Sequence, residues 1–253
     1  MQDKLVSIVM PAYNSEEFIS DAIASLQVQT YADWELIIVD DASADMTAEI
    51  GQKYAVADSR IQCLRQAYNT GVAEARNRAI RVAQGRYLAF LDSDDLWLPH
   101  KLEHQLAFMQ CNEYVFTYTE YRQFHEDPAI PGALIRTRDS VNYHDLLKGN
   151  DIGCLTVMLD RKAFPHIEMP HVRHEDYVTW LNLLCTSGSR AYALHEDLAR
   201  YRKSTDSLTA SKRRSLIWTW QVYRRTQRLS WMKSLYYLLH YAARGIRKHY
   251  GRM

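Results

Sequence analysis

The sequence predicts an α/β fold with a mostly parallel sheet that is covered by helices on both faces. In the first hundred residues, short apolar runs rich in β-branched side chains alternate with stretches of helical periodicity. The runs are apolar at almost every position, which is typical of parallel strands buried on both faces. Polar residues follow the ends of these runs, where parallel sheets form their ligand-binding crevices.

The elements of this first part follow from the period of the apolar residues. Strands are expected at 5–13, 35–41, 61–65 and 87–94, and helices at 16–29, 47–56 and 72–84. In the first helix, apolar residues recur on one face at helical spacing: Phe18, Ile19, Ala22, Ile23 and Leu26. Strands that alternate with helices in this way predict a parallel sheet.

The pattern is looser after about residue 114. Strands are expected within 114–121, 154–159 and 199–203, and a helix at 174–184. Two further helices are expected at about 213–229 and 231–248. No internal repeat or low-complexity linker separates these parts.

The composition is that of an ordinary soluble globular protein, with 47% hydrophobic and 24% charged residues in a chain of 253. No secretory signal opens the chain, and no apolar run reaches the roughly 20 residues of a membrane-spanning helix. The four cysteines are far apart and form no CxxC pair, which favours reduced thiols over disulfides or a zinc site. These observations predict a cytoplasmic protein.

One strand end is unusually acidic. The run LAFLDSDDLW (88–97) passes from a buried strand into Asp92, Asp94 and Asp95. Carboxylates this close raise one another's pKa and cost stability unless a positive group binds among them. The run is therefore a candidate cation-binding site.

Three functions compete for the acidic run. A calcium loop of the EF-hand type is disfavoured because its glycine and terminal glutamate are missing. A phosphatase with a nucleophilic aspartate is compatible, but Leu96 and Trp97 follow in place of a tight phosphate-cradling turn. The third is a D-x-D motif that holds Mg²⁺ or Mn²⁺ together with a substrate diphosphate, since Mg²⁺ completes its shell with phosphate and water. A solvated acidic turn is the remaining alternative.

The residues around the acidic run resemble glycosyltransferase family 2. The stretch SIVMPAYNSEEFISDAIASLQVQTYADWELIIVDDASADMT (7–47) is similar to the opening of that family, and NTGVAEARNRAIRVAQGRYLAFLDSDDLWLP (69–99) is similar to its next block. The resemblance returns at HEDYVTWLNLL (174–184). It implies the GT-A fold, a Rossmann-like, mostly parallel sheet that binds nucleotide-diphospho-sugars, with a C-terminal helical appendage.

The resemblance also implies roles for individual residues. Tyr13 would stack on the nucleotide base, Asp41 would accept a hydrogen bond from it, and Arg76 would reach the diphosphate. The metal would be Mg²⁺ or Mn²⁺, held by Asp94 and Asp92. The full set expected to bind the nucleotide sugar is Pro11, Tyr13, Asn14, Asp41, Arg76, Asp92, Ser93 and Arg202.

A catalytic base is implied within the HED segment. Inverting glycosyl transfer needs a carboxylate that takes a proton from the acceptor hydroxyl on the face opposite the departing diphosphate. The resemblance assigns this base to Asp176, with Glu175 beside it. The alternative is an acidic pair that interacts with the dipole at a helix N-terminus.

Two departures from the family pattern bear on function. The Q-x-x-R-W motif of processive polysaccharide synthases is absent, which favours transfer of one sugar per acceptor. The segment YRKS (201–204) keeps Arg202 of the later Y-R-x-H motif but has Ser204 in place of the histidine.

The C-terminal segment is strongly basic. From Arg202 onward there are thirteen Lys and Arg residues and a single acid, Asp206. We expect a catalytic domain at 1–211, with a nucleotide-sugar-binding half (1–110) and an acceptor-binding half (111–211), followed by a basic, aromatic, amphipathic helical tail (212–253). The tail composition is typical of a helix on anionic lipid, although apolar faces that pack on the catalytic domain explain it equally well. No motif supports nucleic-acid binding.

Together these observations predict an inverting, non-processive glycosyltransferase that moves one sugar from a UDP-sugar to a lipid-linked or oligosaccharide acceptor. The resemblance to bacterial members that build teichuronic-acid-like surface polysaccharides places it on the inner face of the cytoplasmic membrane. One alternative is a non-catalytic nucleotide- or glycan-binding protein. Another is a sugar-phosphate nucleotidylyltransferase, although PAYNSEE (11–17) lacks its glycine-rich phosphate loop.

Overall fold

The computed structural model describes residues 1–203 and 212–250. The strands are β1 (Gln2–Ala12), β2 (Trp34–Asp40), β3 (Ile61–Arg65), β4 (Gly85–Phe90), β5 (Leu96–Trp97), β6 (Phe116–Phe124), β7 (Leu134–Ile135), β8 (Ser140–Val141), β9 (Met158–Asp160) and β10 (Ala191–Arg202). The helices are α1 (Ile19–Gln27), α2 (Thr47–Ala57), α3 (Val72–Val82), α4 (Lys101–Cys111), α5 (Tyr143–Leu147), α6 (Glu175–Ser187), α7 (Lys212–Gln221) and α8 (Trp231–Tyr250).

Within the described residues, the strands form one ten-stranded sheet in the order β3-β2-β1-β4-β9-β6-β10-β5, with β7 beside β6 and β8 beside β10. The strands β3, β2, β1 and β4 run parallel, as do β6 and β10, whereas β9 is antiparallel to both of its neighbours. Ala12 lies opposite Asp40, and Val9 lies opposite Phe90. The carboxyl ends of β1, β2 and β4 therefore meet at one edge.

Helices cover both faces of the sheet, as predicted. On one face, α3 and α6 bury Ala79 and Trp180 in a core with the sheet residue Phe90. On the other face, α1 and α4 bury Ile23 and Leu102 against the opposite side of the same strands. Near-continuously apolar strands are explained by this double burial.

The region after residue 100 contains elements that the sequence pattern did not predict. Helix α4 is one of them, although Leu102, Leu106 and Met109 recur at helical spacing and are all buried. The segment predicted as a strand at 154–159 begins with a 3₁₀ turn at Cys154–Thr156, and only Met158–Asp160 joins the sheet. Pairing with distant strands decides these boundaries, which local periodicity does not record.

The two C-terminal helices differ in their packing. After α7 the chain continues through a π-helical turn at Val222–Thr226, in which Val222 and Tyr223 are buried in the same core as α6. The Tyr223 hydroxyl donates to the carbonyl of Leu147 (2.5 Å). Helix α8 instead leaves a row of large apolar side chains exposed: Trp231, Met232, Leu235, Tyr236 and Leu239. A search of the described helices finds none with the length and apolar character to cross a membrane.

Candidate functional site

The acidic run forms a tight turn after β4 at the carboxyl edge of the sheet. The N–H of Asp95 donates to the carbonyl of Asp92 (3.1 Å), and the buried Asp95 carboxylate accepts the N–H of Arg202 (2.8 Å). Burial, and then the charges of Asp94 and Asp92, raise the pKa of Asp95 well above its ordinary value. Burial and the charge of Asp92 raise the pKa of Asp94 as well. Burial and mutual repulsion therefore disfavour the charged forms of Asp94 and Asp95 in this turn.

Arg76 in α3 joins this turn to the start of α6. Its side chain is 4% exposed; Nη2 lies 2.6 Å from Oδ1 of Asp92, and Nη1 lies 2.6 Å from Oε1 of Glu175. Burial alone would lower the pKa of Arg76, but the charges of Asp92 and Glu175 raise it well above its ordinary value. The guanidinium thus holds two carboxylates in place, and the diphosphate contact that the sequence predicts for Arg76 stays a prediction.

A cleft of about 720 Å³ opens beside the turn, at the carboxyl ends of β1, β2 and β4. Tyr13 lies at its rim with half of its surface exposed (51%), so its ring is available to a ligand. The structure brings seven of the predicted site residues together in this cleft: Pro11, Tyr13, Asn14, Asp41, Asp92, Ser93 and Asp94.

Several of these residues also shape the cleft wall. Asn14 adopts a left-handed backbone conformation (φ 48°), and its side-chain oxygen accepts the N–H of Ala44 (2.9 Å). The hydroxyl of Ser93 lies 2.8 Å from that of Ser15. These contacts tie the loop after β1 to the loop after β2 and to the acidic turn.

Asp41 organises the loop on the far side of the cleft. One carboxylate oxygen accepts the Thr70 N–H (2.8 Å) and the Gln66 amide (2.8 Å), and the other accepts the Gly71 N–H (2.8 Å). Gly71 has φ 89°, a conformation that glycine adopts without strain, and it precedes the first turn of α3. The carboxylate is therefore rigidly held, with lone pairs left for a ligand.

A second cavity, of about 350 Å³, adjoins the first and shares Asp92 with it. Asp176 and Glu175 form one wall, and Tyr121 and Tyr201 form another, their ring centroids 6.2 Å apart in an edge-to-face arrangement. Burial, and then the charge of Glu175, raise the pKa of Asp176 to about 6. A carboxylate with this pKa is suited to accept a proton near neutral pH.

Aromatic packing behind α6 fixes this wall. Trp180 is fully buried one helical turn after Asp176, and its ring meets Phe90 of β4 (5.4 Å between centroids) and Phe116 of β6 (5.5 Å) edge to face. Because Phe90 lies two residues before Asp92, this contact sets the distance between the acidic turn and Asp176.

Arg202 lies outside both cavities. Its Nε donates to the carbonyl of Asp94 (2.9 Å), and its guanidinium lies 4.5 Å from the ring centroids of Phe18 and Phe124. It supports the acidic turn, and the nucleotide-sugar contact that the sequence predicts for Arg202 stays a prediction. Ser204, in the same predicted loop, lies outside the described residues.

Sequence reasoning missed Arg173 and Trp218, and it named His174 only as part of the HED segment, without a role. Arg173 lines the larger cleft and His174 lines the smaller one, and Trp218 of α7 contacts both: the Arg173 guanidinium lies 5.4 Å and the His174 ring 5.5 Å from the Trp218 ring. His174 is left-handed (φ 60°), and among the described residues nothing bonds its buried Nε2. Arg173 could have been noticed in the sequence as a cation directly before the HED segment, whereas no local pattern pointed to Trp218.

The residues of the acidic turn fit a divalent cation. Among the described residues, no side chain donates a hydrogen bond to the carboxylate of Asp94, although its pKa is raised by burial and by Asp92. Carboxylate oxygens are the ligands that Mg²⁺ and Mn²⁺ prefer. A cation beside Asp94 would stabilise its charged form and would face the open cleft.

Several known proteins are similar to this chain in sequence. Residues 7–164 match the model of the glycosyl transferase family 2 domain. The chain is 42% identical to the Bacillus subtilis protein TuaG, which is assigned by name to teichuronic acid biosynthesis, across 96% of this chain and 97% of TuaG. It is 40% identical, across 98% and 96%, to Escherichia coli WfgD, a UDP-Glc:α-D-GlcNAc-diphosphoundecaprenol β-1,3-glucosyltransferase.

Solved structures share the fold. A Staphylococcus aureus TarS fragment in complex with UDP-GlcNAc superposes with a TM-score of 0.65 at 22% identity, over 80% of this chain and 59% of the fragment. The Pyrobaculum calidifontis mannosyltransferase PcManGT, in complex with GDP-Man and Mn²⁺, superposes with a TM-score of 0.69 at 16% identity, over 100% and 77%. At these identities the likeness concerns the fold alone, and it confirms the predicted GT-A-like architecture.

Proposed function

This chain belongs to glycosyl transferase family 2, and we propose that it transfers one sugar, with inversion, from a UDP-sugar to a lipid-linked saccharide in bacterial surface polysaccharide synthesis. The observation that carries the proposal is the adjacency of two cavities that share Asp92. One contains the open acidic turn and the other contains Asp176, with its pKa raised to about 6. A transferase that brings two substrates to one reacting carbon needs such a pair of sites.

In this proposal the larger cleft, built from the 1–110 half, binds the nucleotide sugar. Tyr13 presents its exposed ring to the base, and Asp41, fixed by Thr70 and Gly71, accepts the base N–H. Arg173 at the rim brings a cation toward the diphosphate.

The smaller cavity, built mainly from the 111–211 half, binds the acceptor. The Asp176 carboxylate takes the proton of the acceptor hydroxyl while that oxygen forms a bond to the anomeric carbon. The bond from that carbon to the UDP oxygen breaks at the same time, and its electron pair leaves with UDP. Attack from the side opposite UDP inverts the anomeric configuration.

Asp94, with Asp92, would hold Mg²⁺ or Mn²⁺. When bound, such an ion supplies positive charge to the departing diphosphate. Arg76 keeps Asp92 in position for this through its 2.6 Å contact.

The proposal of a lipid-linked acceptor rests on WfgD, whose name specifies a diphosphoundecaprenol-linked GlcNAc. Such an acceptor lies in a membrane, and helix α8 offers a surface for it. Its exposed face carries Trp231, Met232 and Leu239, and Lys233 lies on the same helix. Together with the basic composition of the C-terminal segment, this surface favours peripheral binding to anionic lipid.

The transferase proposal is tested by incubating the protein with Mn²⁺, a panel of UDP-sugars and a short-chain lipid-diphosphate-GlcNAc, and measuring UDP release. We expect acceptor-dependent release with one donor and a product enlarged by one sugar in mass spectrometry. Titration of UDP with and without Mn²⁺ is the parallel measurement. Metal-enhanced UDP binding with no transfer for any pair would favour a non-catalytic nucleotide-binding protein instead.

The membrane proposal is tested by sedimentation with phosphatidylglycerol vesicles at low and high salt. We expect binding at low salt that weakens as salt screens the charges. Met232→Ser with Leu239→Ser should reduce binding, while Val56→Ser, an exposed apolar residue of α2, should not. Full binding by the double variant would show that α8 is not the docking surface.

A further inference from the structure

The first turn of α4 carries two imidazoles and a carboxylate on one face. His100, Glu103 and His104 each place one ligand atom within 4.8 Å of the ligand atoms of the other two. Residues three and four positions apart are neighbours on a helix surface, and the two imidazole rings stack with centroids 5.1 Å apart. The cluster lines neither the larger cleft, the proposed donor cleft, nor the smaller cavity, the proposed acceptor cavity.

Two other elements hold these side chains in place. Glu196 of β10 places a carboxylate oxygen 2.6 Å from Nδ1 of His104. The hydroxyl of Thr30, in the loop after α1, donates to Glu103 (2.6 Å). A carboxylate against a ligand histidine is the usual arrangement around protein-bound zinc, because it fixes the ring and makes the imidazole a stronger ligand.

We propose that His100, Glu103 and His104 form a zinc site, oriented by Glu196. Two imidazoles and a carboxylate are a ligand set that zinc takes in proteins, whereas Mg²⁺ prefers oxygen ligands alone. The site is therefore chemically distinct from the acidic turn after β4. The positive end of the α4 dipole opposes a cation here, and the charges of Glu103 and Glu196 offset it.

Zinc at this position would join α4 to β10 close to the acidic turn. Strand β5 follows the turn directly, three residues separate it from α4, and β5 pairs with β10. Because Glu196 belongs to β10, a zinc ion beside it would hold α4 against that strand. Zinc should therefore stabilise the folded protein without entering either cavity.

The exposed side chains need only a small adjustment. A tetrahedral ion with bonds of about 2.1 Å has its ligand atoms roughly 3.4 Å apart, so atoms that now lie within 4.8 Å of one another must close by at most about 1.4 Å. The remaining position is open to water.

The test is calorimetric titration of ZnCl₂ into the full-length protein with saturating Mg²⁺, together with thermal unfolding with and without zinc. We expect one zinc equivalent and a raised melting temperature. His104→Gln or His100→Gln should abolish both. Glu196→Gln should weaken binding by about tenfold, as loss of an orienting partner does.

Two control variants make the result specific. His125→Gln removes an exposed histidine outside the cluster and should leave the zinc equivalent intact. Asp94→Ala removes the main carboxylate of the acidic turn and should also leave the zinc equivalent intact. Zinc binding that survives in both His100→Gln and His104→Gln, or that Asp94→Ala abolishes, would overturn the proposal, and neither outcome bears on transferase activity.

Discussion

The proposed donor cleft and the proposed acceptor cavity meet at Asp92, yet they are assembled in different ways. Apart from Arg173, the cleft is lined by residues between 11 and 94, at the end of β1, in the loops after the first strands and at the start of α3. The cavity draws on short segments scattered from residue 76 to residue 201. The cleft is thus made by local motifs at one sheet edge, whereas the cavity is made by long-range packing. Substitutions in the acceptor cavity should therefore reveal energetic coupling between residues that lie far apart in the sequence, which the local motifs do not show.

The largest effect is expected at the proposed base. Asn is nearly isosteric with Asp but cannot take the acceptor proton, so Asp176→Asn should lower turnover by about 10²- to 10⁴-fold. UDP binding in the presence of Mn²⁺ should stay near the wild-type value, because the donor cleft is untouched. Steady-state kinetics and calorimetry measure the two quantities.

The matched control is Glu168→Gln, which changes an exposed carboxylate in the loop before α6 and should leave turnover unchanged. Wild-type turnover by Asp176→Asn would assign the base to another group and would remove the functional distinction between the two cavities.

The second effect concerns Arg76, which joins the cavities. Arg76→Met leaves Asp92 and Glu175 without their buried partner, and loss of one member of a buried ion pair typically costs about 3–5 kcal/mol. Arg81→Met, on the same helix, breaks an exposed pair with Glu74 and should cost about 1 kcal/mol or less. Urea unfolding of both variants measures the contrast.

The same substitution should move the pH profile. Asp176 must be ionised to act as a base, so activity should fall as the pH drops through about 6. The charge of Arg76 lowers the pKa of Asp176, and without it the acid limb of the profile should move to higher pH. If the acid limb of the Arg76→Met profile does not move, the charge of Arg76 does not affect the pKa of Asp176.

The sequence indicated which residues would lie together in the larger cleft far better than it did for the smaller cavity, and the reason is physical. Tyr13, Asp41 and Asp94 follow strands whose periodicity is plain, and parallel strands bring their carboxyl ends together. The partners of Arg76 were not predictable, because Glu175 lies 99 positions away and meets it only after α3 and α6 pack. The contact of Trp218 with the HED segment depends likewise on tertiary packing alone.

The third prediction concerns a buried charge that no pattern indicated. Lys101 is fully buried, with its ammonium 4.5 Å from the ring centroid of Trp97 and bonded to the side chain of Gln105. Burial lowers its pKa to about 7. Between pH 7 and about 10.5 the unfolded chain therefore binds a proton that the folded chain does not. Stability should rise with pH across this window, by an amount on the order of a few kcal/mol.

Lys101→Met should remove most of that slope, because a thioether fits the apolar site without a charge. Lys162→Met removes an exposed lysine and is the control, with a slope expected to match the wild type. Urea unfolding at pH 7, 8 and 9 gives the three slopes. Equal slopes in wild type and Lys101→Met would mean that the ammonium stays hydrated in the folded state.

The smallest effect is expected at Trp218, which links α7 to both cavities through Arg173 and His174. Trp218→Ala leaves Asp176 and the acidic turn intact but frees the segment before α6. Losses of remote packing typically change coupling by about 0.5–2 kcal/mol, so kcat/KM should fall by about 2- to 30-fold.

Trp220 lies two residues further on and contacts Trp231 of α8 instead, so Trp220→Ala controls for a general loss of packing in α7. If loss of Trp218 acts on the HED segment, Trp218→Phe should recover most of the activity, since a phenyl ring keeps part of the contact. Equal losses in the Trp218 and Trp220 alanine variants would instead mean that α7 stabilises the domain as a whole, and the two cavities would then owe their alignment to Trp180 and Arg76 alone.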